Sequence, residues 1–126
     1  MREEIQSHLA RADELLRAAR ALIESGHPAD SVSRSYYAMF HAAAAVLLDL
    51  GIERGSHRGV ISALGEFVVK PGRMDSRYHA SLRRAFEARS ESDYLPAPRD
   101  TIQQAQAMLE EARQFVSVCR SLPRKP

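Results

Sequence analysis

The sequence predicts an all-α protein, an antiparallel bundle of about five helices. Apolar residues recur at helical spacing between clusters of proline and glycine near positions 26–28, 51–55, 71–72 and 96–98. No stretch alternates between apolar and polar residues as a half-buried strand does. The short connections at these clusters favour helices that pack side by side in opposite directions.

The first two helices are predicted on either side of Gly26. Helix one runs from about Arg2 to Ser25, and its apolar stripe consists of Ile5, Leu9, Ala12, Leu16, Ala19 and Ile23. Helix two begins at Pro28, whose missing N–H is harmless in a first turn, and ends near Leu50. Gly51 then supplies a helix C-cap.

Helix three is predicted to begin after the N-cap residue Ser56 and to end before Pro71. Gly59 and Gly65 lie inside it and indicate a less regular helix. Helix four starts near Asp75.

The segment 90–98 resembles a turn, and helix five follows from about Thr101 to Ser121. Cys119 falls on the apolar seam of helix five, which indicates a core residue rather than a reactive thiol. We expect one domain over residues 1–122 and a frayed tail at 123–126.

The amino-acid composition excludes several classes of protein. Hydrophobic residues make up 44% of the 126 residues and charged residues 27%, which is typical of a soluble globular domain and excludes a disordered chain. The single cysteine excludes an intramolecular disulfide framework. The longest stretch without formal charge, residues 35–48, is too short to span a bilayer. The N-terminus has acidic residues and no apolar signal region, so we expect a cytoplasmic protein.

Arginine dominates the basic residues, with 16 of the 18, and the net charge is only +2. A GC-rich genome would explain this bias, and so would a surface that contacts phosphates, because guanidinium groups bind phosphate bidentately. The net charge by itself is too small to indicate nucleic-acid binding.

Helix two is apolar on almost all sides. One side carries an ordinary core stripe, and the opposite side carries Arg34, Tyr37, Ala38, His41, Ala45, Leu48 and Asp49. A helix of this kind is usually covered on all sides. Either other helices surround it or a partner chain covers the second face, and the second option predicts a homodimer.

Arg34 and His41 are seven residues apart, which places them about 20° apart on one stripe of the helix. Tyr37 lies between them. A fixed cation, a titratable base and a phenol on one stripe suit phosphodiester chemistry. In the alternative interpretation, Arg34 pairs with an acid and His41 is a half-buried structural histidine.

Arg89 lies on the apolar stripe of helix four, where a guanidinium must find an acceptor or open onto a cleft. Asp93 can hold it, and Tyr94 follows directly. We expect Arg89 to contribute to a phosphate-binding cleft with Tyr94 at its mouth. Alternatively, Arg89 bonds carbonyls at the helix end and Tyr94 packs against helix five.

The sequence lacks the motifs that mark other kinds of catalytic or metal site. The sequence has no His-Glu-x-x-His zinc motif, no glycine-rich phosphate loop and no Gly-x-Ser-x-Gly elbow. A di-iron bundle needs two Glu-x-x-His pairs, and only Glu24 to His27 fits, across Gly26. We therefore expect neither a metal nor a cofactor.

Four segments of the chain resemble a known family. They are Ser33-Arg34-Ser35-Tyr36-Tyr37-Ala38-Met39-Phe40-His41-Ala42-Ala43, Ser56-His57-Arg58-Gly59-Val60, Phe67-Val68-Val69-Lys70-Pro71-Gly72, and Arg89 through Asp93-Tyr94. Together they resemble the HEPN domain, in the branch of small stand-alone bacterial and archaeal proteins. The resemblance covers nearly the whole chain.

The resemblance implies an all-α bundle that often dimerises and that is commonly encoded beside a minimal nucleotidyltransferase, as a toxin–antitoxin pair. Active members are metal-independent endoribonucleases with an Arg-x4–6-His motif. Arg34 and His41 fit that spacing. The motif usually lies later in the chain, where this sequence has Arg89 and then Tyr94 without the histidine. In related toxins a tyrosine near the motif receives a nucleotide, which makes Tyr94 a candidate modification site.

These observations lead to three hypotheses. The first is a HEPN module that binds a nucleotidyltransferase partner. The second is a metal-independent endoribonuclease toxin that cleaves RNA through attack by the 2′-OH, with Arg34, His41, Arg89 and Tyr94 as candidate catalytic residues. The third is a non-enzymatic helical assembly protein.

Overall fold

The computed structural model describes residues 2–122 and is an all-α bundle, as predicted. The five α-helices are α1 (Arg2–Glu24), α2 (Pro28–Asp49), α3 (His57–Leu64), α4 (Ser76–Tyr94) and α5 (Ile102–Ser121). No strand occurs within the described residues. The tail predicted at 123–126 lies outside them.

The α2 helix is the centre of the bundle and packs against each of the other four α-helices. Its core stripe includes Tyr36, Met39 and Leu47, each at most 1% exposed. The apolar part of the second face is also covered, because Ala45 and Leu48 are buried against residues of α1. Another helix of the same chain therefore covers this face, and the homodimer stays a prediction.

Local sequence signals set most helix starts. The Ser56 hydroxyl accepts a hydrogen bond from the Gly59 amide at 3.0 Å and caps α3, as predicted. Asp75 caps α4 in the same way. Thr101 and Gln104 form a reciprocal capping box at α5. Each cap satisfies amides that the first helical turn leaves without partners.

The predicted irregularity of helix three is confirmed at its second glycine. After Leu64 the chain continues as a π-helical turn over Gly65–Val69. A Cβ on Gly65 would lie 3.0 Å from Nε2 of His79, so the glycine allows α4 to approach closely. His79 in turn donates from Nε2 to the Ile61 carbonyl at 2.8 Å.

The predicted turn over 90–98 is wrong at its beginning, because α4 continues to Tyr94. Serine and acidic residues in this stretch suggest a turn, but Ser92 is buried and its hydroxyl donates to Asp100 Oδ2 at 2.6 Å. This tertiary contact holds the last turn of the helix. The helix stops at Leu95, whose backbone is extended as expected before Pro96.

The prediction for Cys119 is confirmed, since the residue is 2% exposed in the core. Burial raises the pKa of its thiol far above the ordinary value, which makes the reactive thiolate inaccessible. Among residues 2–122, no helix combines the length and apolarity that a membrane crossing requires.

Candidate functional site

Arg89 points into the bundle among aromatic side chains. Its Cζ lies 5.3 Å from the ring centroid of Tyr36, 5.4 Å from that of Tyr37 and 5.8 Å from that of Phe86. Only 17% of the Arg89 side chain is exposed. The negative faces of aromatic rings attract a cation, which explains how the apolar stripe accommodates a guanidinium. We call Arg89, Tyr36, Tyr37, Phe86 and His57 the Arg89 cluster.

The guanidinium of Arg89 has one bonded nitrogen and one buried nitrogen without a partner among the described residues. Nη1 donates to Asp93 Oδ2 at 3.0 Å, which confirms that Asp93 holds the guanidinium. Nε is buried and has no hydrogen-bond partner among residues 2–122. A desolvated charged donor without a partner carries a large free-energy penalty, which an incoming anionic oxygen would remove. Arg89 is therefore the candidate anion-binding residue of this cluster.

His57 is the imidazole that lies beside this cation. It is the first residue of α3, and its Nδ1 is 2.5 Å from the Tyr36 hydroxyl. The ring packs against Phe40 at a centroid distance of 4.5 Å. Partial burial, and then the Arg89 charge, lower the pKa of His57 below its ordinary value. The imidazole is therefore neutral near neutral pH and can accept a proton.

Tyr36 links the core to the site. Its ring is fully buried on the core stripe of α2, as the helical spacing predicts. Burial raises the pKa of its phenol far above the ordinary value, although the neighbouring Arg89 acts in the opposite direction. Tyr36 consequently keeps its proton and acts as a fixed hydrogen-bonding group that orients His57.

Tyr94 is the last residue of α4 and is 88% exposed. The alternative in which its ring packs against helix five is therefore wrong, whereas the solvent-facing position is confirmed. Five residues separate it from Arg89, which corresponds to about 7.5 Å along the helix axis and about 140° around it. Tyr94 thus lies beside the Arg89 cluster at the surface, and its ring projects in another direction.

The helix-two candidates occupy a different place. Arg34 is exposed and forms no ion pair within the described residues. His41 is half-buried, and its Nδ1 lies 2.9 Å from Nδ1 of His8 on α1. Tyr37, which lies between Arg34 and His41 in sequence, turns instead towards Arg89. The structure therefore divides this stripe between the Arg89 cluster and a histidine pair, His8 and His41.

The surroundings of the His8–His41 pair change the pKa of His41. Burial lowers the pKa of His41, and the neighbouring His8 and Arg11 lower it further. The 2.9 Å contact between two imidazole nitrogens requires one proton between them. In the part of the chain that the structure describes, no three His, Cys, Asp or Glu side chains come together as a metal site requires.

His57 is the residue that the sequence analysis did not assign. Its segment contributed to the family resemblance, but its spacing from Arg89, 32 positions along the chain, gives no periodic signal. The N-cap Ser56 immediately before it is the only local sign that the side chain is held in a defined first turn.

Comparison with known proteins identifies the family. A family model described as HEPN domain matches residues 5–122. A candidate toxin of Methanocaldococcus jannaschii is 35% identical over 116 residues, which cover 92% of this chain and 86% of that protein. A UPF0332 protein of Gloeobacter violaceus is 38% identical over 119 residues, 94% of each chain. A second candidate toxin of Methanocaldococcus jannaschii is 25% identical over 92% of this chain and 79% of its own length.

Proposed function

Because this chain belongs to the HEPN domain family, we propose that it is the HEPN component of a cytoplasmic toxin–antitoxin pair and binds a minimal nucleotidyltransferase. Relatives named as candidate toxins support the toxin-like role. The observation that carries the proposal is Tyr94, which stands 88% exposed at the end of α4, next to the Asp93 carboxylate that holds Arg89. A partner enzyme can reach this phenol without unfolding the bundle.

The modification would alter the Arg89 cluster through charge. The Tyr94 hydroxyl oxygen attacks the α-phosphorus of a nucleoside triphosphate held by the partner, a new O–P bond forms, and pyrophosphate leaves. The phenolic proton passes to a base of the partner or to water. The product carries a phosphate charge and a base beside Asp93 and Arg89, where it would obstruct another phosphate by repulsion and by size.

Mass spectrometry tests this proposal. The protein is co-expressed with a minimal nucleotidyltransferase of the proposed kind, purified, and weighed intact. We expect co-purification and an added nucleotide, lost in Tyr94→Phe and retained in Tyr78→Phe, a control in which the altered phenol is the half-buried one on α4. An adduct that persists in Tyr94→Phe contradicts the modification site. Absence of any complex contradicts the partner role and favours a helical assembly protein.

A second candidate function is metal-independent RNA cleavage, and one observation favours it. The His57 imidazole and the Arg89 guanidinium both contact the Tyr36 ring, so a base and a fixed cation lie on one surface. When His57 Nδ1 donates to the Tyr36 oxygen, Nε2 is free to accept a proton. Arg34 and His41 on α2 are the other candidate site for RNA cleavage. Tyr94 is the other residue that could take the place of the histidine missing after Arg89.

The chemistry of this second function follows from these groups. His57 removes the proton from a ribose 2′-OH, the O2′–P bond forms, and the P–O5′ bond breaks as the leaving oxygen takes a proton from water or from the protonated imidazole. The products are a 2′,3′-cyclic phosphate and a 5′-hydroxyl. Arg89 stabilises the charge that develops on the phosphorus oxygens.

Incubation of the purified protein with total RNA, with and without EDTA, tests the second function. We expect cleavage that EDTA does not reduce, together with growth arrest on expression. Intact RNA under both conditions contradicts the catalytic function and leaves the binding function as it is. Light scattering at micromolar concentration tests the homodimer, which a monomeric mass contradicts.

A further inference from the structure

A groove that shares Phe86 with the Arg89 cluster runs between α3 and α4. Its volume is about 320 Å³, which lies at the lower end of sites that hold small molecules or single nucleotides. Ile61 of α3 and Phe86 of α4 form an apolar floor. Arg58 from α3 and Arg83 from α4 line the same groove, and the bonded ring of His79 closes one part of the wall.

The ion pairing of Arg58 and Arg83 differs from that of the adjacent Arg84. Arg84, next to Arg83, pairs with Glu111 of α5. Neither Arg58 nor Arg83 forms an ion pair with a carboxylate among residues 2–122. Glu87 also lines the groove, one helical turn after Arg83, but is not paired with it. Within the described residues, the groove therefore presents two cations that form no ion pair, together with one carboxylate.

The floor connects the groove to the candidate site. The Cζ atom of Arg58 lies 5.3 Å from the Phe86 ring centroid, and that of Arg89 lies 5.8 Å from the same centroid. One aromatic ring thus belongs to both places. Phe86 therefore lies between the groove and Arg89, the cation with the unpaired buried donor.

We propose that the α3–α4 groove binds one segment of a single-stranded nucleic acid, with Arg58 and Arg83 holding phosphates and Ile61 and Phe86 contacting a base. Flat guanidinium groups without carboxylate partners bind phosphate oxygens in pairs. Aromatic and apolar surface between basic side chains is the combination that binds single strands without reading their sequence. The proposal is independent of Tyr94 and of a transferase partner, and it extends the Arg89 cluster by one binding position.

Fluorescence anisotropy tests the groove directly. The probe is a fluorescein-labelled ten-nucleotide oligouridine, measured with EDTA at several salt concentrations, with the deoxy oligonucleotide as a second arm. We expect Arg58→Gln/Arg83→Gln to lower the affinity at least tenfold. Each lost phosphate contact on a single strand reduces the salt slope by about 0.7, so the double variant should reduce it by about 1.4. Glu87→Gln should raise the affinity, because it removes the carboxylate of the groove.

The matched control removes two positive charges elsewhere. Arg2→Gln/Arg17→Gln changes the net charge equally on α1, at exposed arginines without an ion pair among the described residues, and should leave the salt slope unchanged. Equal losses in both double variants would overturn the proposal, since they would indicate only a general charge effect. Absence of binding by the unaltered protein, or tighter binding of an oligoglutamate peptide than of either oligonucleotide, would overturn it too.

The nucleotidyltransferase proposal is assessed separately. Arg58→Gln/Arg83→Gln should still co-purify with the transferase and still gain the Tyr94 adduct. A variant that loses RNA affinity and keeps the adduct supports the groove. A variant that keeps RNA affinity refutes the groove, whatever happens to the adduct. Urea unfolding of both double variants, whose four side chains lie at the surface, should match the unaltered protein.

Discussion

The Arg89 cluster and the His8–His41 pair both contain an imidazole close to α2, yet their surroundings differ. In the cluster, α2, α3 and α4 each supply a side chain, and the imidazole lies beside a guanidinium and a phenol. In the pair, two imidazoles bond to each other between α1 and α2. Arg34, which shares the helical stripe of His41, is exposed to solvent. The comparison teaches that spacing along one helix finds residues on one face, whereas a site forms where several helices meet.

The largest expected difference is between the two imidazoles. His57→Ala should reduce RNA cleavage about 10²–10⁴-fold, the usual contribution of a positioned proton-transfer group. His41→Ala should leave the rate within about threefold, because His41 pairs with His8 and lies outside the Arg89 cluster. Initial cleavage rates with EDTA measure both. If cleavage disappears in a folded His41→Ala variant, the base is the one that the Arg-x6-His spacing predicts.

The second-largest expected difference in cleavage rate is between variants of Arg89 and of Arg34. Arg89→Ala should lower the cleavage rate about 10²–10³-fold, as loss of one preorganised donor to a developing anion does. Arg34→Ala serves as the matched change on the stripe of His41 and should have little effect. Arg89→Lys keeps the charge and loses the planar fork, so a partial recovery is expected. The reverse order of the two alanine variants would place the site on α2.

Substitutions at two neighbouring tyrosines distinguish the contribution of a hydrogen-bonded hydroxyl to stability from that of the aromatic ring. Tyr36→Phe removes the buried partner of His57 Nδ1 and should lower the free energy of unfolding by about 1–2 kcal/mol. Tyr37→Phe removes a hydroxyl from a half-buried ring in the same cluster and should change it by less than about 0.5 kcal/mol. Urea denaturation compares them. Equal values would mean that the Tyr36–His57 hydrogen bond does not stabilise the fold.

Substitutions at two helix N-caps distinguish an effect on the candidate site from an effect on the stability of the bundle. Ser56→Ala and Thr101→Ala each remove an N-cap hydroxyl and should each lower the free energy of unfolding by about 1 kcal/mol. Only Ser56 precedes His57, so only its loss should reduce oligonucleotide affinity or cleavage. A matching functional loss in Thr101→Ala would show that general stability, rather than the first turn of α3, controls the site.

The smallest expected effect is the pH dependence of stability. Burial, then His8 and Arg11, lower the pKa of His41 in the folded protein, so folding favours its neutral form. The contribution of His41 to stability is complete above about pH 6.5, the pKa of a histidine in the unfolded chain. It is lost as the pH falls through the lower pKa of His41 in the folded protein. His41→Asn should flatten the decline in the urea midpoint between pH 7.5 and pH 5. An unchanged decline would assign it to other groups, His57 among them.

Helical spacing and capping residues predicted the fold because they are local. Ser56 and Asp75 lie where their own helices need them. The end of α4 was not predictable in this way, because it depends on Ser92 reaching Asp100 across a loop. Arg89 was found as a cation on an apolar stripe. His57 was not, because its place beside Arg89 results from the packing of α3 against α2 and α4.

The central position of α2 also determines how the protein opens. Every other α-helix rests on α2, so its middle cannot be exposed to solvent without separating the whole bundle. Amide hydrogens around Met39 to Val46 should therefore exchange with deuterium only through global unfolding. Those of the last turn of α4 should exchange through smaller openings, since Tyr94 and Leu95 at its end are exposed. The surface that presents Tyr94 can thus move on a faster timescale than the helix that holds Tyr36.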